Sequence, residues 1–198
     1  DAATLETLHK ANVVVVDKTG TITKGKPELT KIEVLGNKNE KEIISILATL
    51  ESKSEHPIAH AIVNYAKEKN IDTKSVNNFE IIKGKGLKGT IEDTEYFAGN
   101  LKIISDLNIP SDTQSLEQET KQGKTPVLLA NKNTLLGIVF VADPIKPEAI
   151  ETINALHKLK KKVVMLSGDD KNTAEYIAKI IGIDKVFAEV MPEDKLNI

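Results

Sequence analysis

The segment that most restricts the fold is Val13-Val14-Val15-Val16, followed directly by Asp17. Four β-branched residues in succession put apolar side chains on both faces of an extended chain, which predicts a parallel strand covered by helices on each side. Asp17 then falls at the carboxyl end of that strand, the edge of an open parallel sheet where ligands bind. The following Lys18-Thr19-Gly20-Thr21 and Lys24-Gly25-Lys26-Pro27 are rich in Gly, Thr and Lys, as expected of a functional loop. Similar grammar returns near the other end. Pro147 to Leu159 predicts a helix with Ile150, Ile153 and Leu156 inward, Val163 to Leu166 a buried strand, and Thr173 to Ile181 a helix ended by Gly182.

The middle reads differently. A short strand is expected around Leu29 to Val34. Ile43, Ile44, Leu47 and Leu50 share one helical stripe, and Ile58, Ala61, Ile62, Tyr65 and Ala66 share another, with Pro57 in the first turn of the second helix. Residues 79–100 predict short strands broken by Gly84, Gly86, Gly89 and Gly99, and Ser111 to Gln122 a helix stopped by Gly123. Thr125 to Ala130 and Leu135 to Val141 flank Asn131-Lys132-Asn133, a hairpin with a three-residue connection. The simplest architecture is α/β. Residues 1–29 and 142–198 form one parallel-sheet domain, and 30–141 an inserted α+β domain with an antiparallel sheet.

Composition narrows the chemistry. The 198 residues are 40% hydrophobic, enough for a sizeable core, and the net charge of −2 (27 basic, 29 acidic) gives no reason to expect nucleic acid as a partner. There is no cysteine, which excludes disulfides and thiolate metal sites. The four histidines, His9, His56, His60 and His157, are too dispersed for a zinc cluster. No run approaches the roughly 18 to 20 apolar residues that span a bilayer. Starting at Asp1 without a Met and stopping in a polar segment, the chain reads as an excised piece.

A carboxylate at Asp17 can attack a phosphoryl group and hold it covalently. Both groups are anionic, so attack needs a hard divalent cation such as Mg²⁺ to screen them. Lys18 and the neighbouring threonines supply donors to transferring oxygens. Ser167-Gly168-Asp169 follows the strand Val163 to Leu166 and offers a hydroxyl and backbone amides to phosphate, and Lys195 offers a cation. Plainer roles stand beside these. Asp17 can be a turn residue, His56 a polar residue preceding the helix opened by Pro57, Gly84 and Gly86 a tight turn between strands, Glu51 a solvated helix-end charge, and Lys195 an exposed lysine. Gly84 to Gly89 formally matches GxGxxG, but Thr90 to Phe97 reads as extended, so the helix of a dinucleotide fingerprint is missing.

Asp17 to Thr21 (DKTGT) resembles the phosphorylation motif of P-type ATPases, Ser167 to Asp169 their TGD motif, and Asp143 to Lys146 (DPIK) their hinge. Ser54 to Pro57 (SEHP) resembles the nucleotide-domain signature of the heavy-metal (P1B) class, and the segments VMLSGDDKNTAEYIA and AEVMPEDK are similar to copper(I)-transporting members. The resemblance spans essentially the whole chain. It implies a haloacid-dehalogenase-like phosphorylation domain, C-terminally incomplete because the GDGxND motif would follow Ile198, with an inserted nucleotide-binding domain. It makes Asp17 the phosphate acceptor and, with the Thr19 carbonyl, a Mg²⁺ ligand, and it puts Ser167 and Lys195 on phosphate. Glu51, His56, Gly84, Gly86, Gly99 and Asn100 then line the adenine site of ATP. The implied parent is a membrane pump whose helices and actuator domain are the partners, with this piece cytoplasmic and weakly active or inactive alone.

Two rivals follow from the same residues. A phosphatase of the haloacid-dehalogenase-like superfamily with a cap domain typically carries a second Asp two positions after the nucleophile as acid and base; here that position is Thr19. A nucleotide-binding fragment without chemistry of its own is the other.

Overall fold

The computed structural model describes residues 11–111, 114–191 and 194. The chain divides into two compact units. One holds 1–26 and 143–198, with 121–123 grouped to it, and the other holds 27–120 and 124–142. The crossovers lie a few residues outside those expected, because Glu28 and Leu29 already pair with Ala142 and Val141 in the antiparallel sheet of the second unit.

In the first unit, β1 (Val13–Asp17) pairs in parallel with β8 (Lys162–Leu166), which pairs in parallel with β9 (Lys185–Phe187). Helices α5 (Pro147–Lys158) and α6 (Lys171–Ile181) contribute Ala149, Ile153, Ile177, Ala178 and Ile181 to a core with Val163 and Met165. Val16 packs on this core, whereas Val13 and Val15 are each 49% exposed, so among the described residues helices cover only one face of the valine run. Ile150, expected inward, is 41% exposed; Ala149 and Ile153, four positions apart, face the sheet instead. Asp170 caps α6 by accepting from the Asn172 and Thr173 amides, and Gly182 ends it at φ +80°.

The second unit is built on a six-stranded antiparallel sheet. Its strands are β2 (Glu28–Val34), β3 (Asn77–Ile82), β4 (Gly86–Ile91), β5 (Thr94–Gly99), β6 (Thr125–Ala130) and β7 (Leu135–Ala142), and they lie in the order β2-β7-β6-β5-β4-β3. Helices α1 (Glu40–Glu51) and α2 (Pro57–Glu68) bury Ile43, Ile44, Leu47, Leu50 and Ile62 against one face. Ile103 and Ile104 of α3 (Leu101–Asp106) and Leu116 of α4 (Gln114–Lys121) cover the other, around Leu128, Ile138 and Phe140. With both faces covered, β7 is buried along nearly its whole length, which explains its unbroken apolar run. The β6–β7 connection has four residues, not three: Ala130 pairs with Leu135, and the Asn131 side chain accepts from the Asn133 and Thr134 amides. Among the described residues no helix is long and apolar enough to cross a membrane.

The α1 stripe carries the first test. Leu47 is fully buried in the larger core, so Leu47→Ala is expected to cost about 2–5 kcal/mol in chemical denaturation.

Candidate functional site

The parallel register places Asp17 opposite Leu166, so Asp17 and Ser167 sit at the ends of adjacent strands. Asp17 leaves β1 in an extended conformation, and its carboxylate accepts from the Thr19 amide at 3.1 Å. The chain then makes a wide turn over Lys18–Ile22. Gly20 stands at φ +77°, and the Thr23 amide closes the turn by donating to the Lys18 carbonyl at 2.9 Å. Only a residue without Cβ adopts that φ at little cost, which accounts for glycine within the motif.

Asp143, read from the sequence only as part of a hinge, anchors this loop. One carboxylate oxygen lies 2.5 Å from the Thr23 hydroxyl, and the other accepts from the amides of Gly25 (2.9 Å) and Lys26 (3.2 Å). The Lys146 ammonium donates to the Gly20 carbonyl at 2.9 Å. Lys18 is buried, and its ammonium lies 2.7 Å from Asp169 Oδ2, a buried oxygen whose partner is this charge rather than a well-aligned hydrogen bond. The pair joins the loop after β1 to the turn after β8. Ser167 is wholly buried. Its Oγ accepts from the Asp169 amide at 3.1 Å, and the exposed part of this turn is Gly168. Asp169 and Lys18 neutralise one another here, a link that the sequence did not reveal. Lys195 lies outside the described residues.

Asp17 and the Thr19 carbonyl are hard oxygen donors, and the neighbouring acids are committed elsewhere, Asp143 to the loop and Asp169 to Lys18. Among the described residues no group of three or more His, Cys, Asp or Glu side chains could hold a metal. One carboxylate with a carbonyl suits Mg²⁺, which keeps several waters and completes its shell with substrate phosphates.

In the second unit, Glu51, His56, Gly84, Gly86, Gly99 and Asn100 all line one cleft of about 410 Å³. His56 is the N-cap of α2. Its Nδ1 accepts from the Ile58 amide at 3.2 Å, so the ring is held with its proton on Nε2. The helix-end and cleft-lining readings of His56 therefore hold together. Gly86 and Gly99 face each other across β4 and β5. A Cβ on Gly86 would stand 2.0 Å from the Ala98 carbonyl oxygen, and one on Gly99 2.0 Å from that of Lys85. Gly84 supplies φ +73° in the turn before β4. Asn100 spends its polar atoms on scaffolding: Nδ2 donates to the Gly84 carbonyl at 3.0 Å, and Oδ1 caps α3 by accepting from Lys102. Sequence reasoning had not separated this structural task from contact with a ligand. It also missed Pro126 in the cleft wall, which carries no periodic or motif signal, and it read Ser54 and Lys85 only as members of the SEHP and 84–89 segments.

Glu51 closes α1 and is not a solvated helix-end charge. It is 8% exposed, and burial raises its pKa from 4.5 to about 7. An unpaired buried carboxylate is disfavoured, so the group prefers its neutral form in the fold. Between pH 4.5 and about 7 the unfolded chain releases this proton while the folded chain keeps it, so stability falls through that window and stays reduced above it. At about 1.4 kcal/mol per pH unit the full loss is roughly 3 kcal/mol. Glu51→Gln is therefore expected to stabilise the fold by up to roughly that amount at about pH 8 and by little at about pH 4.5, measured by denaturant unfolding at both pH values.

Residues 11–198 match the family model described as haloacid dehalogenase-like hydrolase. Over 195 residues the chain is 42% identical to a copper-exporting P-type ATPase of Staphylococcus haemolyticus (strain JCSC1435), covering 98% of this chain and 24% of that protein. Over 199 residues it is 42% identical to a copper-transporting P-type ATPase of Rhizobium leguminosarum bv. viciae, covering 98% and 23%. The chain thus spans about a quarter of the length of the curated relatives it matches. Among solved structures it is similar to a zinc-transporting PIB-type ATPase in the E2.Pi state, with a TM-score of 0.86 at 30% identity over 98% of this chain and 32% of that one. It also shares the fold of the catalytic domain of the CPx-ATPase CopB-B, with a TM-score of 0.63 at 23% identity over 100% of this chain and 68% of that one. Since the matched model takes in both crossovers and the loop after β1, the chain belongs to the haloacid dehalogenase-like hydrolase family.

Proposed function

We propose that this chain is the ATP-binding and phosphorylation region of a heavy-metal-transporting P-type ATPase, that the transported ion is copper(I), and that the region is the cytoplasmic part of a membrane pump. The observation that carries the reading is the placement of Asp17 beside Ser167 at the ends of paired parallel strands. It is supported by a separate cleft in which all six expected base-contacting residues meet. The copper assignment follows the names of relatives at 42% identity, against 30% for the zinc-transporting structure.

In this reading the second unit binds the adenine of ATP and the first supplies the acceptor. An Asp17 carboxylate oxygen forms a bond to the γ-phosphorus while the bond from that phosphorus to the bridging oxygen breaks, and ADP leaves with that oxygen. The carboxylate of Asp17 and the carbonyl of Thr19 would hold Mg²⁺, which screens the repulsion between nucleophile and phosphate. The Lys18–Asp169 pair holds the two phosphate-facing turns together, and the exposed Gly168 lets an oxygen approach the backbone. Thr19 carries no titratable acid where a phosphatase of this family uses one, so the acyl phosphate on Asp17 is expected to persist long enough to be coupled to transport.

Calorimetric titration tests the cleft. ATP is expected to bind with a dissociation constant between about 1 μM and 1 mM. His56→Ala should weaken binding about tenfold or more and also lower stability, whereas His56→Asn keeps a capping side chain and should lose the affinity alone. Unchanged affinity in both variants would remove His56 from the site. Incubation with γ-labelled ATP and Mg²⁺ tests the acceptor: a weak, hydroxylamine-labile label is expected on the chain and none on Asp17→Asn, and equal labelling of the variant would sink the assignment.

A further inference from the structure

The Glu51 carboxyl group has no hydrogen-bond or ion partner among the described residues, although the residue is nearly buried in the cleft wall. Several other polar groups of the wall are engaged: His56 Nδ1 with Ile58, Asn100 with Gly84 and Lys102, and the Lys85 ammonium with Asp106. We propose that Glu51 reads the base as a neutral carboxylic acid, its O–H donating to a ring nitrogen of adenine while its carbonyl oxygen accepts from the adjacent 6-amino group, so that the cleft selects adenine over guanine and takes up a proton on binding. The inference rests on the nucleotide reading and adds to it the protonation state that recognises the base.

The chemistry is one of complementary edges. A neutral acid presents one donor and one acceptor side by side, and adenine presents N7 as acceptor beside its 6-amino donor. Guanine presents two acceptors, N7 and O6, on the same edge, which the acid cannot both satisfy. An ionised Glu51 accepts only; it would repel an adenine ring nitrogen and suit the N–H groups of guanine instead. Among the described residues no neighbouring charge favours the ionised form. His56 and Lys85 share the cleft, and α2 adds His60 and Lys67. Across the sheet, Lys88 is paired with Glu80 and Glu95 with Lys132, while β6 carries no charged residue. Burial is the cause of the raised Glu51 pKa, and none of these charges contributes to it.

The test is calorimetric titration of the whole chain and of E51Q with ATP and GTP at about pH 6 and about pH 8, in buffers of different ionisation enthalpy. The side-chain amide of the E51Q variant keeps a donor and an acceptor but does not titrate, and both proteins share any effect of phosphate ionisation. Relative to E51Q, the unmodified chain should lose about tenfold in ATP affinity over that interval, as the neutral fraction of a group near pH 7 falls by that factor. At the higher pH it should take up about one more proton per ATP than E51Q. Its preference for ATP over GTP should shrink over the same interval. Parallel pH profiles in the two proteins, or no proton uptake by the unmodified chain, would overturn the proposal while leaving nucleotide binding intact. Absence of ATP binding at either pH would remove both.

Discussion

The parallel pairing of β1 with β8 is the constraint on which the first unit depends. It brings together two turns from distant parts of the sequence, each leaving the sheet at the same edge. The Lys18–Asp169 charge pair then ties the turns to each other, and the Asp143 carboxylate ties the loop after β1 to the second crossover. Such a pair is weak evidence for net stability, because taking two charges out of water offsets much of their attraction. Its effect is geometric: with Lys18 fixed, the carboxylate one residue earlier has little freedom to wander.

The second unit solves a different problem, that of making a cleft next to a well-packed sheet without exposing the core. Its solution is to line the cleft with ends of elements: the last residue of α1, the cap of α2, the turn between β3 and β4, and the last residue of β5. Such ends have backbone groups that need partners, and two side chains of the wall meet part of that need. His56 and Asn100 both cap helices while standing in the wall. Glu51 is the exception, a buried acid whose side chain has no hydrogen-bond or ion partner among the described residues.

Much of this was legible in the sequence where one physical signal dominated. The stripes Ile43, Ile44, Leu47, Leu50 and Ile58, Ala61, Ile62 gave both helices because burial follows helical period. The Asp17 loop and the cleft residues were legible through motif resemblance, but their partners were not. That Lys18 meets Asp169, or that Asp143 gathers three donors, depends on contacts between segments far apart in the chain, which local pattern does not encode. The valine run misled in one respect, since β-branched residues favour extended backbone whether or not both faces become covered; Val13 and Val15 face outward. Leu101–Asp106 escaped notice because so short a segment shows no helical period.

The close approach of Gly86 and Gly99 has a consequence for redesign. On that side the cleft is bounded by main chain, with no side chain to trim and no room to add one. Attempts to reshape the cleft must therefore work from lining residues that carry side chains outside the packed core, such as Ser54 and Lys85. Where Gly86 and Gly99 meet, the shape of the cleft is set by backbone rather than by side-chain choice.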